Sequence, residues 1–453
     1  MAKTVLLTGS NGFVGSHITD ILLREGYNVR AMVRTTSDLR WLDNKPVELV
    51  YAGLQDPSAL RQAAEGVDAV IHNAGVTSAG HRYLYHFHNA EGTRNLLEAV
   101  VDAAPDISRF VLISSQAAGG PTVGQEPRRE SDPPRPITAY GESKLLAEIH
   151  VQRFADRLPV TIIRPPALYG PRDRAFLPLF KFAARGLLPL FGEYREFSLT
   201  HVQDLARQVY VQLENEAAVG EVFHAAPFDP VTFAEFGETI ARVVGTSVRR
   251  VRIPDALLKY VYPALYHLLR LLRARPPFQP DKVPDMLVKR WTISGAKARE
   301  RLGFEGHLPL LAGVGQTAEW YRWKGWLQTQ RDRRRERNGP VIKQRLVGEE
   351  PRLYDPTCDL CGLAFDGEVK TRKHYEDGDF VIVDCLICRE PMAVLKEHRP
   401  EFTDRERERL IELFGELFGD DRHADFEQRR IPEHAHVHYR RAPHSLPWQR
   451  RPE

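Results

Sequence analysis

Tyr140 and Lys144 stand four residues apart in the stretch TAYGESKLLAE, Thr138 to Glu148. The segment reads as the start of a helix, and that spacing puts both side chains on one face. An ammonium beside a phenol favours the phenolate. It would pull a tyrosine down from its ordinary pKa of about 10, so that it exchanges a proton near neutral pH. The plain alternative is a solvated lysine beside a packing tyrosine. The pair alone does not choose; the elements that position it do.

The opening KTVLLTGSNGFVGSHITDILLREGYNVRAMVR predicts a strand from Thr4 to Leu7, a glycine-rich turn, an amphipathic helix from about Phe13 to Glu25 and a second strand from Asn28 to Val33. Gly9, Gly12 and Gly15 follow the strand and open the helix, where glycines allow a tight turn, approach of a pyrophosphate to backbone N–H groups, and close helix–strand packing. Gly9, Asn11, Gly12, Phe13, Val14 and Gly15 are therefore read as cofactor contacts. The runs VELVYAGL, VDAVIHNAG, RFVLISSQAAGG and PVTIIRPPALYG are near-continuously apolar, as parallel strands buried on both faces are, and helical stretches such as NAEGTRNLLEAVVDA separate them. The predicted fold is a doubly wound α/β parallel sheet. Its ligands should gather at the carboxyl ends of the strands, where Ala74-Gly75, Ser114-Ser115 and Arg164-Pro165 fall.

With 453 residues the chain exceeds one ordinary domain. A net charge of +3 gives no bulk warrant for a nucleic-acid partner. Neither a signal peptide nor an apolar run of membrane-spanning length is visible, so the expected location is the cytoplasm. All four cysteines lie beyond residue 357, which suggests two modules of different chemistry.

TGSNGFVGSH, HNAG, SSQAAGG, YGESK and RPPALYGP, in this order, resemble the extended short-chain dehydrogenase/reductase family, which includes the NAD-dependent epimerase/dehydratases and the dihydroflavonol-reductase and 3β-hydroxysteroid-dehydrogenase branches. The resemblance covers roughly Lys3 to Leu327. It implies a Rossmann sheet with a small substrate subdomain and a catalytic set at Ser115, Tyr140 and Lys144. Tyr140 would move a proton to or from the substrate oxygen, Ser115 would orient that oxygen, and Lys144 would lower the tyrosine's pKa and hold the nicotinamide ribose. Tyr140, Lys144 and Ala74 are thereby also cofactor contacts.

Arg34 stands where an acidic residue would bind a ribose 2′-hydroxyl and an arginine would suit a 2′-phosphate, so NADP is favoured, with NAD the alternative. Gly53 replaces a customary aspartate near the adenine and leaves Leu54 to contact the ring. Nucleotide-sugar members usually carry an asparagine and an arginine where this sequence has Ala167 and Phe197. An apolar alcohol or ketone is thus the expected substrate, with a sugar epimerase or dehydratase and a non-catalytic NAD(P) sensor as alternatives.

Asp255 to Phe278 is an apolar, aromatic helical stretch ending in arginines. It is a core helix, a lid, or an amphipathic helix making peripheral membrane contact through 256–274. Family members are often homodimers.

The expected domains are 1–327, a charged linker at 328–352, and 353–453. In the last, Cys358, Cys361, Cys385 and Cys388 form two CxxC pairs joined by a predicted β segment, the spacing of a structural Cys₄ zinc site. The sequence PEHAHVHYRR, with CDLC upstream, resembles the histidine-triad (HIT-like) fold. That resemblance makes His436 the nucleophile position and offers Cys358, Cys361, His398 and His434 as other zinc ligands. No Asn- and Gly-rich stretch precedes His434, His436 and His438, so a degenerate relative is expected.

Overall fold

The computed structural model describes residues 2–192, 194–271, 283–328, 373–376, 380–384, 391–395, 403–418, 422–425 and 436–441. It divides into two compact units, Met1–His307 with Tyr321–Arg331, and Leu308–Trp320 with Asp332–Glu453.

In the first unit seven strands form one sheet: β1 (Thr4–Thr8), β2 (Asn28–Val33), β3 (Val47–Tyr51), β4 (Ala69–His72), β5 (Arg109–Ile113), β6 (Val160–Arg164) and β11 (Val222–His224). Their order is β11-β6-β5-β4-β1-β2-β3, and every pair is parallel. The order reverses between β1 and β4, the place where a doubly wound sheet opens a crevice at its carboxyl edge. Helix α1 (Phe13–Arg24) leaves β1, α2 (Pro57–Ala64) leaves β3, α4 (Gly92–Ala103) lies between β4 and β5, and α6 (Ala139–Arg153) between β5 and β6; α3 (Arg82–Tyr85) and α5 (Gln116–Gly119) are single turns. Two apolar clusters cover the sheet. One packs Leu60, Leu96, Leu97 and Val151 on Leu6, Val70 and Leu112; the other packs Ile18, Ile21, Leu205 and Val209 on Val5, Leu7 and Ile71.

VELVYAGL departs from the expected two-sided burial. As β3 it is an edge strand paired only with β2, and Leu49 and Tyr51 are exposed.

The rest of this unit carries β7 (Ala167–Tyr169), β8 (Leu187–Phe191), β9 (Glu196–Phe197), β10 (Leu199–His201), β12 (Val231–Thr232), β13 (Arg249–Ile253) and β14 (Arg290–Trp291) in small two- and three-stranded sheets, with helices α7 (Leu177–Ala183), α8 (Val202–Glu214) and α9 (Phe233–Val244). α9 begins with a capping box: Glu235 N–H donates to Thr232 Oγ1 at 3.1 Å, and Thr232 N–H donates to Glu235 Oε2 at 2.7 Å. The stretch from Asp255 is helical, opening with a wide turn at Leu257–Val261 and continuing through Tyr262–Leu271.

The second unit contains a five-stranded antiparallel sheet, β15 (Lys373–Glu376), β16 (Phe380–Asp384), β17 (Pro391–Leu395), β18 (Arg422–Asp425) and β19 (His436–Arg441), in the order β15-β16-β17-β19-β18. The β segment expected between the two cysteine pairs is thus present as β15 and β16. Cys358, Cys361, Cys385, Cys388, His398, His434 and almost all of the linker lie outside the described residues. Among the described residues no group of three His, Cys, Asp or Glu side chains is arranged to hold a metal, and no helix is long and apolar enough to cross a membrane.

Candidate active site

β1 hands the chain to α1 through a turn that only glycines fit. Gly9 has φ +66°, and a Cβ on Gly15 would stand 2.1 Å from the Gly9 carbonyl oxygen. At Gly12, the residue before α1, the first helical turn has neither a side-chain cap nor an acidic residue. Its free N–H groups and the helix dipole suit an anion. Ser10 Oγ, in the same turn, is buried without a partner. The turn therefore fits the pyrophosphate of a dinucleotide. Asn11, Phe13 and Val14 line it half-exposed, with Asn11 Nδ2 donating to the Asp38 carbonyl at 3.2 Å.

A buried histidine fixes the neighbouring strand ends. Thr93 Oγ1 donates to the Asn89 carbonyl at 2.6 Å, so it accepts from His72 Nε2 at 2.9 Å; His72 Nδ1 then accepts from Thr8 Oγ1 at 2.8 Å. Burial holds this imidazole neutral, with its pKa near 3. Thr8 Oγ1 in turn accepts from the N–H groups of Asn73 and Ala74 at 3.1 and 3.0 Å. Ala74 is so placed beside Gly9, whose Cβ position lies 2.9 Å from the Ala74 backbone.

Arg34 follows β2 directly and is exposed; its N–H donates to Ser37 Oγ at 3.0 Å. Leu54 lies half-buried against Gly92, where the start of α4 has no Cβ to obstruct it.

At the end of β5, Ser115 caps α5 by accepting from Ala117 N–H at 3.1 Å. Thr138 caps α6 in the same way, through Gly141 N–H at 3.2 Å, which brings Tyr140 into the first turn of that helix. The Ser115 and Tyr140 side chains are hydrogen-bonded to each other. Tyr85 meets Tyr140 edge-on, with ring centroids 6.2 Å apart. Lys144, one turn later, is buried, and its Nζ donates to the Ile113 carbonyl at 2.6 Å. Structure thus brings Ser115, Tyr140 and Lys144 together at the carboxyl end of β5.

The electrostatics differ from expectation. Burial, followed by the Asp285 carboxylate, holds the Tyr140 phenol above its ordinary value of 10, while only the Ser115 hydrogen bond pulls it down. Lys144 is itself lowered to about 8 by burial, with Glu148 opposing. The amine stays charged at neutral pH, but it is tied to the Ile113 carbonyl and is not among the groups that pull the phenol down.

Several supporting residues were not foreseen. Glu148 Oε1 accepts from Arg164 Nε at 2.9 Å and its Oε2 from Arg164 Nη2 at 2.6 Å, while Ser114 Oγ donates to Oε1. This buried fork fastens α6 to the ends of β5 and β6. Asn89 accepts from Val76 N–H at 2.8 Å and donates to Ser143 Oγ at 2.9 Å, tying the loop after β4 to the helix that carries Tyr140. Glu148 was within reach of the sequence, lying four residues beyond Lys144 on the same helical face; Asn89, Tyr85 and Asp285 had no spacing to betray them.

A profile of the NAD dependent epimerase/dehydratase family matches residues 5–226. The ceramide reductase of Caulobacter vibrioides is 30% identical over 71% of this chain and 96% of its own. This protein belongs to the NAD-dependent epimerase/dehydratase family. The family member also matches the 3 beta-hydroxysteroid dehydrogenase/Delta 5-->4-isomerase of Mycobacterium tuberculosis at 26% identity, over 66% of the chain and 85% of the relative. Among solved structures, gox2253 superposes with a TM-score of 0.61 at 26% identity, covering 72% of this chain and all of that one. The family's proteins are enzymes, and this epimerase/dehydratase-family member is an NAD(P)-dependent oxidoreductase.

Proposed function

We propose that this enzyme interconverts a ketone and a secondary alcohol on an apolar, lipid-like molecule, using Tyr140 as the proton-transfer group. The Ser115–Tyr140 hydrogen bond, set one turn from Lys144 at the carboxyl edge of the sheet, carries the reading. Gly9 to Gly15 would hold NAD(P), with Arg34 and Leu54 toward its adenosine side, and the bound cofactor would supply or accept the hydride. Tyr140 gives its proton to the substrate oxygen in reduction and takes it back in oxidation. Ser115 holds the same oxygen by a hydrogen bond. Lys144, charged at neutral pH, would anchor the nicotinamide ribose and keep positive charge near the phenol when the oxygen acquires negative charge.

The substrate class rests on the aromatic surroundings of Phe197. Its ring lies 6.2 Å from Phe233 and 6.1 Å from Phe236, and Phe191 lies 6.1 Å from Phe233. These are apolar contacts at a position where a sugar diphosphate needs a cation, which disfavours a nucleotide-sugar substrate. Relatives named as a ceramide reductase and a 3 beta-hydroxysteroid dehydrogenase support an apolar substrate.

NADP is the proposed cofactor, because an exposed arginine and no carboxylate directly follows β2. Fluorescence titration with NADPH and NADH, on wild type and Arg34→Ala, tests this. Tighter NADPH binding that disappears in the variant is expected, followed by NADPH oxidation on long-chain ketones. Equal binding in both proteins would overturn the NADP assignment.

For the second unit the proposal remains a HIT-like zinc module, supported by the spacing of Cys358, Cys361, Cys385 and Cys388. One zinc per chain, lost in Cys358→Ser, is the expected metal content.

A further inference from the structure

The helical segment beginning at Leu257 is apolar on a buried side and on an exposed one. Its inner side packs Leu258 and Tyr262 with Val283, Phe191, Met286 and Leu287. On its outer side, Leu257, Tyr260, Val261 and Leu265 are 47, 69, 50 and 42% exposed; Tyr260 and Val261 lie three and four residues after Leu257, and Leu265 four after Val261, which aligns them as one stripe. Single exposed apolar residues are ordinary, but four in line on one helix form a face without a partner among the described residues. Lys259 Nζ lies 5.1 Å from the Tyr260 ring centroid, so a cation stands beside the most exposed member of the stripe.

Charge identifies the occupant. β13, which leads into this helix, turns Arg249, Arg250, Val251 and Arg252 to solvent, and Glu238 engages Arg250. From Arg249 to Arg275 the sequence holds the cations Arg249, Arg250, Arg252, Lys259, Arg270, Arg273 and Arg275 against one acid, Asp255, which is paired with Arg195. The chain as a whole is nearly neutral, at +3 on 453 residues, so this concentration is local. Apolar side chains flanked by cations, with an amphipathic tyrosine between, are what the interface of an anionic bilayer accepts.

We infer that this face docks peripherally on anionic lipid bilayers, with Leu257, Val261 and Leu265 entering the headgroup boundary and the β13 arginines meeting lipid phosphates. The inner side of the same helix packs on Val283–Leu287, the segment whose Asp285 acts on Tyr140. Docking therefore brings the catalytic crevice within one helix of a store of apolar molecules. It does not depend on what the active site reduces, and is read without turnover.

Flotation of the full-length protein with vesicles of phosphatidylcholine alone, or mixed with phosphatidylglycerol, tests the inference. Wild type should float with the mixed vesicles, release as salt is raised, and bind pure phosphatidylcholine at least about tenfold more weakly. The triple substitution Leu257→Glu, Val261→Glu and Leu265→Glu should abolish flotation while leaving NADPH affinity and melting temperature unchanged. Arg249→Glu with Arg252→Glu should weaken only the anionic component. Failure of wild type to bind either vesicle, or flotation of the triple variant equal to wild type, would overturn the inference. So would a lipid-free dimer that the triple variant turns into a monomer, since the stripe would then be an interface between copies.

Discussion

Lys144 Nζ donates to the main-chain oxygen of Ile113 at 2.6 Å, binding the first half of α6 to the last residue of β5. The amine thereby becomes part of the scaffold as well as of the proposed chemistry. Substituting it should affect two things at once. Lys144→Met is expected to weaken NADPH binding and to lower kcat. Tyr140→Phe should lower kcat by about 10²- to 10⁴-fold and leave the cofactor's Kd unchanged. Equal loss of cofactor affinity in both variants would contradict this division of roles.

Asp285 acts electrostatically on the phenol. Its negative charge favours the protonated tyrosine, so Asp285→Asn should lower the Tyr140 pKa. In the reductive direction Tyr140 must carry its proton, and activity is lost as pH rises through its pKa. The basic limb of the pH–rate profile should therefore move to lower pH in the variant. In oxidation the phenolate is required, and the acidic limb should move the same way. An unmoved profile with altered KM would show that Asp285 only shapes the pocket.

Gly15→Ala tests the cofactor turn. The added Cβ meets the Gly9 oxygen at 2.1 Å and Ser10 Cα at 2.8 Å, both backbone, so α1 must move away from β1. A destabilisation of about 1–3 kcal/mol by overpacking is expected, with NADPH binding lost. Calorimetry and fluorescence titration measure the two effects separately.

Acid should weaken this protein before its carboxylates titrate. Burial lowers His72, His201 and His224 to about 3, against 6.5 for an unfolded histidine. Between those values the unfolded chain binds more protons than the folded one, so stability rises with pH and drains away as pH falls. Urea midpoints should decline steadily once pH drops below about 6.5, where unfolded histidines begin to charge. A flat midpoint down to pH about 4.5 would mean the histidines are protonated in the native state.

The helix carrying Tyr140 and Lys144 was legible because spacing and capping are local properties of sequence; Thr138 caps it as its residue type suggests. The glycine turn was legible for the same reason. β3 was misjudged, since an apolar run does not record how many neighbours a strand acquires, and Val47–Tyr51 has one. The phenol's pKa escaped too. It depends on burial and on a carboxylate 145 positions away in sequence, neither of which a four-residue spacing contains. Asn89 and Arg164 belong to the same class: their partners are set by strand order.

β11 follows the chain's excursion through β7 to β10, yet it pairs with β6 by Ile162↔Val222, Ile163↔Phe223 and Arg164↔His224. The dinucleotide half and the substrate half are therefore stitched through one another. A nascent chain on the ribosome holds β6 with an open edge until residue 224 has emerged, and a protein cut between them would display that row of bare amides and carbonyls to any passing strand.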